Sequence, residues 1–279
     1  SIAGAMQRAH KLYKKRLKKP RDIEEVMDRL MPDSRGDGLR HADLVIEAVV
    51  ENLQVKQKIF HDAEAATRDS TLLATNTSSI PLEEIADGMK DASRLVGLHF
   101  FNPVAKMQLV EIVRGAQTAD SAMDRARAFA VALGRLPLDV KSSPGFLVNR
   151  ILMPYLMEAM IMVEEGIHHA DIDRAARDFG MPMGPIHLAD TVGLDICLSV
   201  AEELAEPLGM EVPARLRAMV GAGSLGIKSG GGFYQYKKGK IQGSKGSVRK
   251  DIPIIDRLML RQLNETVACL RENVVSETD

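Results

Sequence analysis

Tryptophan is absent from this 279-residue chain, and aromatic residues make up only 4% of it. That leaves little with which to stack sugars or nucleobases, because such platforms are built from aromatic faces. Cysteine occurs twice, at Cys197 and Cys269, each within an apolar, helix-like stretch, so neither a disulfide framework nor a metal site is expected. The formal net charge is −1 and the pI about 6.7, which gives no electrostatic case for nucleic acid. No uninterrupted apolar run is long enough for a transmembrane helix. The opening residues, Ser-Ile-Ala-Gly-Ala-Met-Gln-Arg-Ala-His, lack the apolar core of a secretory signal. A protein of a reducing, cytoplasmic compartment is expected, with enough residues for two packed cores.

Also missing is a strand, a Gly-x-Gly-x-x-Gly turn and a helix in succession, the arrangement that holds a dinucleotide pyrophosphate on a helix N-terminus. Gly230-Gly231-Gly232 is a glycine cluster, but it precedes Phe-Tyr-Gln-Tyr and reads as a closing loop.

What is present is concentrated between Gly97 and Gly115. Leu95, Val96 and Leu98 form an apolar run that ends at His99, Pro103 imposes a turn, and Leu109, Val110, Ile112 and Val113 form a second run around Glu111. Two such segments read as neighbouring strands, on which a histidine and a carboxylate can face each other. An imidazole held in one tautomer by an acid is a general base near neutral pH. Taken alone, the pair is equally a strand-end histidine beside an incidental glutamate.

Strand and helix patterns alternate with short links through the first half. Asp43–Val50 reads as a strand, Val55–Thr67 as a helix and Leu72–Thr75 as a strand running into Asn76-Thr77-Ser78-Ser79. A helix with early acids (Glu83, Glu84) follows, then the two strands above, a helix over Ala122–Leu133 and a strand at Leu138–Val140. The alternation predicts a doubly wound α/β sheet. Beyond Ser142-Ser143-Pro144-Gly145 the periodicity is helical, with Phe146–Glu165 apolar on nearly every face. Helices are predicted over Asp171–Phe179, Ile186–Ala205, Ala214–Val220 and Ile252–Val275, the last after a polar, glycine-bearing linker from Lys237 to Lys250. Residues 1–141 thus read as a Rossmann-like α/β domain whose first β-α-β unit is absent, and 142–238 as an all-α domain. Residues 239–279 read as a linker and the first helix of a second helical domain.

Six motifs in order carry a resemblance to the 3-hydroxyacyl-CoA dehydrogenase family: Asp-Leu-Val-Ile-Glu-Ala-Val-Val-Glu-Asn, Asn-Thr-Ser-Ser, His-Phe-Phe-Asn-Pro-Val, Pro-Gly-Phe-Leu-Val-Asn-Arg, Met-Pro-Met-Gly-Pro and Gly-Gly-Phe-Tyr. The resemblance spans about Ile2 to Lys237 and departs at Ala105, where relatives carry His or Pro. It implies oxidation of (S)-3-hydroxyacyl-CoA to 3-oxoacyl-CoA with NAD, His99 acting as base and Glu111 orienting it. It further implies that Ser78 and Asn149 hold the C3 oxygen, and that Glu51, Lys56, Ser78, Asn102 and Lys228 lie on the cofactor side. On the residues alone, Asn76–Ser79 is also a helix-start cluster, Asn149 a buried structural amide, and Glu51 with Lys56 a solvated helix start. The basic run Lys11–Lys19 is by itself a solvated face. The resemblance assigns that arm to the CoA end of the substrate, with Arg8, Lys11 and Lys15 on one helical face.

His10, His41, His61, His168, His169 and His187 have no metal-ligand spacing and read as surface or packing residues. The tail after Ile252 also resembles multifunctional β-oxidation proteins, which join an enoyl-CoA hydratase to this dehydrogenase and, in bacteria, assemble with a thiolase. A fragment of such a homo-oligomeric subunit is the expectation. The alternative is a catalytically incompetent CoA-binding or assembly fragment of the same protein. A β-hydroxyacid dehydrogenase with an interdomain lysine fits less well, because Asn149 and Arg150 stand where that lysine is needed.

Overall fold

The computed structural model describes residues 2–243 and 253–278. Two helices, α1 (Ile2–Arg16) and α2 (Pro20–Met27), come before the sheet. Pro20 is the first residue of α2, where its missing N–H has no helical partner to lose. The helical pattern that runs from Ile2 to about Leu30 in the sequence is thus restarted at Pro20.

Five strands and three helices follow: β1 (Leu44–Glu47), α3 (Leu53–Ala66), β2 (Leu72–Thr75), α4 (Leu82–Ile85), β3 (Leu95–Phe100), β4 (Leu109–Arg114), α5 (Asp120–Ala132) and β5 (Leu136–Lys141). The strands lie in the order β1-β2-β3-β4-β5. The pairs β1–β2, β2–β3 and β4–β5 are parallel, while β3–β4 is antiparallel, so the Rossmann-like α/β sheet is mixed. Strand β1 is shorter than the apolar pattern predicts, ending at Glu47. Asn52 caps α3 by accepting the Val55 N–H at 3.0 Å.

Side chains alternate across the sheet. Leu72, Ala74, Val96, Leu98, Val110 and Ile112 pack under α5, against Ala122, Met123 and Ala126. Leu73 and Leu95 face Phe60 of α3 and Ile85 of α4. Each such fully buried aliphatic side chain stabilises the fold by about 1.5–3 kcal/mol. His99 is four residues beyond Leu95 and so shares its face, away from α5. Gly97 lies between them because Val113 crosses there: a Cβ at Gly97 would stand 2.6 Å from the Val113 Cβ.

The second half contains α6 (Val148–Glu164), α7 (His169–Phe179), α8 (Pro185–Val192), α9 (Leu194–Ala205), α10 (Ala214–Gly221), a hairpin of β6 (Gln235–Lys237) and β7 (Lys240–Gln242), and α11 (Ile254–Arg271). Helix α6 runs through the centre of this core, with Met153, Leu156, Met157 and Met160 all buried. Two sequence readings change here. The predicted helix Ile186–Ala205 is two, broken at Gly193, whose φ of 108° interrupts the helical turn while the apolar pattern continues through it. The predicted linker begins with the β6–β7 hairpin, and its remainder, 244–252, lies outside the described residues. Helix α11 packs on α6 and α7, Ile254 and Leu258 joining their core.

The string Gly221-Ala-Gly223-Ser-Leu-Gly226 does have dinucleotide-loop spacing. It follows α10 and leads into a 3-10 turn, with no strand before it. Gly226 instead closes on α8: a Cβ there would stand 2.2 Å from the Asp190 carbonyl oxygen.

Candidate active site

Antiparallel pairing of β3 with β4 sets His99 directly opposite Glu111. His99 Nδ1 lies 2.6 Å from Glu111 Oε2, and both side chains are buried, His99 6% exposed and Glu111 not at all. A carboxylate accepts, so Nδ1 carries the hydrogen and Nε2 keeps the basic lone pair. The other oxygen, Oε1, accepts the backbone N–H groups of Leu147 at 3.0 Å and Val148 at 2.9 Å. Those amides open α6, so a helix N-terminus neutralises the buried acid. Phe101 and Phe146 wall the imidazole, with ring centroids 4.4 Å and 5.8 Å away.

Asn149, the second residue of α6, donates to the Ser78 carbonyl oxygen at 3.0 Å. Ser78 follows β2 and is held in turn by Glu51, whose Oε1 accepts the Ser78 N–H at 3.0 Å and the Thr77 hydroxyl. Although burial acts to raise it, these bonds and the Lys56 charge hold the Glu51 carboxyl below the usual range. Lys56 is 1% exposed, its ammonium 2.9 Å and 3.0 Å from the two oxygens of Glu47 and 3.1 Å from Glu51 Oε2. Three donor hydrogens thus meet three carboxylate oxygens inside the protein.

From Ser78 and Glu51 a cleft of about 340 Å³ opens towards α9, lined there by Asp195, Ile196, Ser199, Val200 and Glu203. Burial, with Glu51 across the cleft, keeps the Glu203 carboxyl above its usual range. Lys228 pairs with Asp195 at the cleft wall. Asn102 is exposed on the β3–β4 loop.

Residues 1–143 match the NAD binding domain of 3-hydroxyacyl-CoA dehydrogenase, and residues 145–236 match its C-terminal domain. This chain belongs to the 3-hydroxyacyl-CoA dehydrogenase family. It is 36% identical to the fatty acid oxidation complex subunit alpha of Acinetobacter baylyi, over 99% of this chain and 42% of that protein. The chain thus spans about two fifths of that relative's length. Among solved structures it is similar to FadB2 of M. tuberculosis, with TM-score 0.80, 38% identity and 85% of this chain covering 87% of that one. It is also similar to 3-hydroxybutyryl-CoA dehydrogenase from Escherichia coli K12, with TM-score 0.78, 35% identity, 90% of this chain and 54% of that chain.

The other sequence candidates of this family member lie apart from the histidine pair. Arg8, Lys11 and Lys15 are exposed on α1, which buries no residue. The arm's end reaches the site region, where the Arg16 guanidinium donates to the Ala105 carbonyl of the β3–β4 loop at 2.7 Å. His168 caps α7 and stacks on His169, which meets Tyr234 edge-on, and His187 stacks near Tyr236. No group of three or more metal-ligating side chains occurs among the described residues, nor any helix long and apolar enough to cross a membrane.

The sequence reading did not name the Leu147 and Val148 amides, the Phe101 and Phe146 walls, or Glu47. Glu47 left a signal as an acid in the middle of an apolar strand, and Phe101 and Phe146 as members of two of the six motifs, whereas the two amides left none.

Proposed function

We propose that this chain is the dehydrogenase part of a larger fatty-acid β-oxidation protein, oxidising (S)-3-hydroxyacyl-CoA to 3-oxoacyl-CoA with NAD. The observation that carries the reading is the His99–Glu111 pair, fastened to the N-terminus of α6 beside Asn149 and Ser78. Nε2 of His99 takes the C3 hydroxyl proton. Glu111 holds Nδ1–H throughout and stabilises the imidazolium; with its second oxygen already bound by two amides, it keeps one orientation. Ser78 Oγ and the amide hydrogen of Asn149 not given to the Ser78 carbonyl are the donors assigned to the C3 oxygen as it becomes a carbonyl.

The acidic cleft suits the ribose and nicotinamide half of NAD, because Glu51 and Asp195 offer acceptors to ribose hydroxyls and Lys228 pairs with Asp195 there; Asn102 is assigned to the same half on the family resemblance alone. When bound, NAD supplies the hydride acceptor. Lys56, enclosed by Glu47 and Glu51, serves that half by holding Glu51 in place. We extend to the parent protein, as part of the same reading, an enoyl-CoA hydratase activity and assembly with a thiolase subunit. In that protein His99→Ala should lower kcat by roughly 10²–10⁴-fold, the scale of a general acid–base; near-normal turnover would contradict the assignment.

One observation favours a narrower reading of the chain by itself: among the described residues no strand, glycine turn and helix in succession offer amides to the cofactor pyrophosphate. The chain alone would then bind CoA or serve assembly without turnover. Separate calorimetric titrations with acetoacetyl-CoA and NAD discriminate the two. Acetoacetyl-CoA is expected to bind and NAD to bind very weakly, whereas micromolar NAD affinity would remove the narrower reading.

A further inference from the structure

Helix α11 approaches the site from behind. Glu158 of α6, only 5% exposed, accepts from Arg257 at 2.7 Å and from Arg261 at 3.0 Å, and Arg257 also reaches Glu165. At the other end of α6, Arg150 donates Nε to Glu265 at 2.5 Å and Nη1 to Glu272 at 2.7 Å. Residues rising along α6 meet residues falling along α11, so the helices are antiparallel and their buried charges fix one register. The end of α11 therefore lies at the start of α6. Just beyond it, the Val274 carbonyl accepts the Lys141 N–H at 2.7 Å, joining the tail to β5 of the sheet. The strap spans the connection 142–147, whose backbone turns through positive φ at Gly145 (74°) and Phe146 (52°).

The first turn of α6 needs such an anchor. Pro154 lies within the helix and has no N–H for the Arg150 carbonyl, so one bond tying that turn to the next is missing. The same turn carries Asn149 and, through Leu147 and Val148, holds Glu111. Arg150 is 6% exposed and the two acids that hold it come from 115 and 122 residues further along.

We propose that Arg150, gripped by Glu265 and Glu272, is a positioning residue for the reaction, the strap α11 fixing the first turn of α6 so that Asn149 and Glu111 stay in working geometry. This rests on the dehydrogenase reading given above. The charges are removed at the far end of the contact, by the double substitution Glu265→Gln and Glu272→Gln in the natural full-length protein. Expected is a kcat lower by roughly ten- to hundred-fold, the usual penalty of an ångström-scale misplacement, with KM for the hydroxyacyl-CoA little changed. Hydrogen exchange at the Leu147 and Val148 amides should quicken by about ten-fold while Val96 and Leu98 in β3 stay protected. The single variant Glu265→Asp, which keeps the charge, should recover part of kcat. Unchanged kcat with unchanged exchange at those two amides would overturn the proposal, as would faster exchange spread through β3. Exchange is read without substrate, so a protein that lacked dehydrogenase activity would sink the functional reading and leave the strap still decided.

Discussion

The mouth of the sheet and the helical half both bury carboxylates, and they use them differently. At the mouth, Glu111 gives one oxygen to two helix amides and the other to an imidazole whose second nitrogen remains a base. In the helical half Asp173 accepts the Ile186 and His187 amides and the Tyr234 hydroxyl, and Asp190 accepts the Phe233 and Tyr234 amides and the Tyr236 hydroxyl. Those bonds close on the start of α8, the segment before β6 and two tyrosine hydroxyls. Packing there is tight enough that a Cβ on Gly232 would stand 2.0 Å from Asp190 Oδ1, and one on Gly184 2.3 Å from the Asp173 Cβ. A buried acid saturated by amides and tyrosines is a fastener. One whose bonding leads outward through a titratable ring is available for chemistry.

The largest test of that contrast is Glu111→Gln. The amide must turn its NH2 group either to the Leu147 and Val148 donors, leaving both amides unpaired, or to His99, which costs the tautomer that leaves Nε2 basic, and in either case the charge that stabilises the imidazolium is gone. A fall in kcat on the order of 10²–10⁴-fold is expected, measured at saturating substrate and NAD in the natural protein. Stability should drop by only about 1–3 kcal/mol, the usual penalty for one mispaired buried group. Turnover within a few-fold of normal would place Glu111 among the fasteners.

Asp190→Asn makes the converse change. Its NH2 group would face either the Phe233 amide or the Tyr234 amide together with the Tyr236 hydroxyl, and a loss of about 1–3 kcal/mol in chemical denaturation is expected. The kcat of the folded fraction should not change. A variant of normal stability and low turnover would reverse the assignment of the two regions.

These two regions were unequally legible. The motifs Met-Pro-Met-Gly-Pro and Gly-Gly-Phe-Tyr stood out in the sequence, but nothing in them says that Asp173 and Asp190 join them, because those contacts cross 61 and 43 residues. His99 and Glu111 were legible as a pair because a short antiparallel connection brings nearby residues opposite each other. The rest of that site was hidden: the Leu147 and Val148 donors are backbone groups, which any sequence supplies equally. The Gly193 break was missed for a related reason, since periodicity reports which face is apolar and a positive φ leaves that pattern intact.

The smallest effect belongs to the histidines beside the fasteners. His169 lies against His168 and Tyr234, and burial first, then the neighbouring charges of His168 and Arg215, lower its pKa to about 4. An unfolded histidine titrates near 6.5. As pH falls from 6.5 towards 4 the unfolded chain therefore takes up a proton that the folded one refuses. Stability from this group is fully present above pH 6.5 and is lost on acidification across that window. Asp173 and Asp190 act in the opposite sense, because burial raises their pKa values and the folded state binds protons more readily than the unfolded one as pH approaches the carboxylate range. The pH dependence of the unaltered protein is thus a difference between opposing contributions, and only a paired comparison isolates one of them. His169→Asn should flatten the slope of unfolding free energy between pH 6.5 and 4, by an amount reduced by the ring's partial exposure. If His169→Asn left the slope unaltered, the pH dependence assigned to His169 would be wrong.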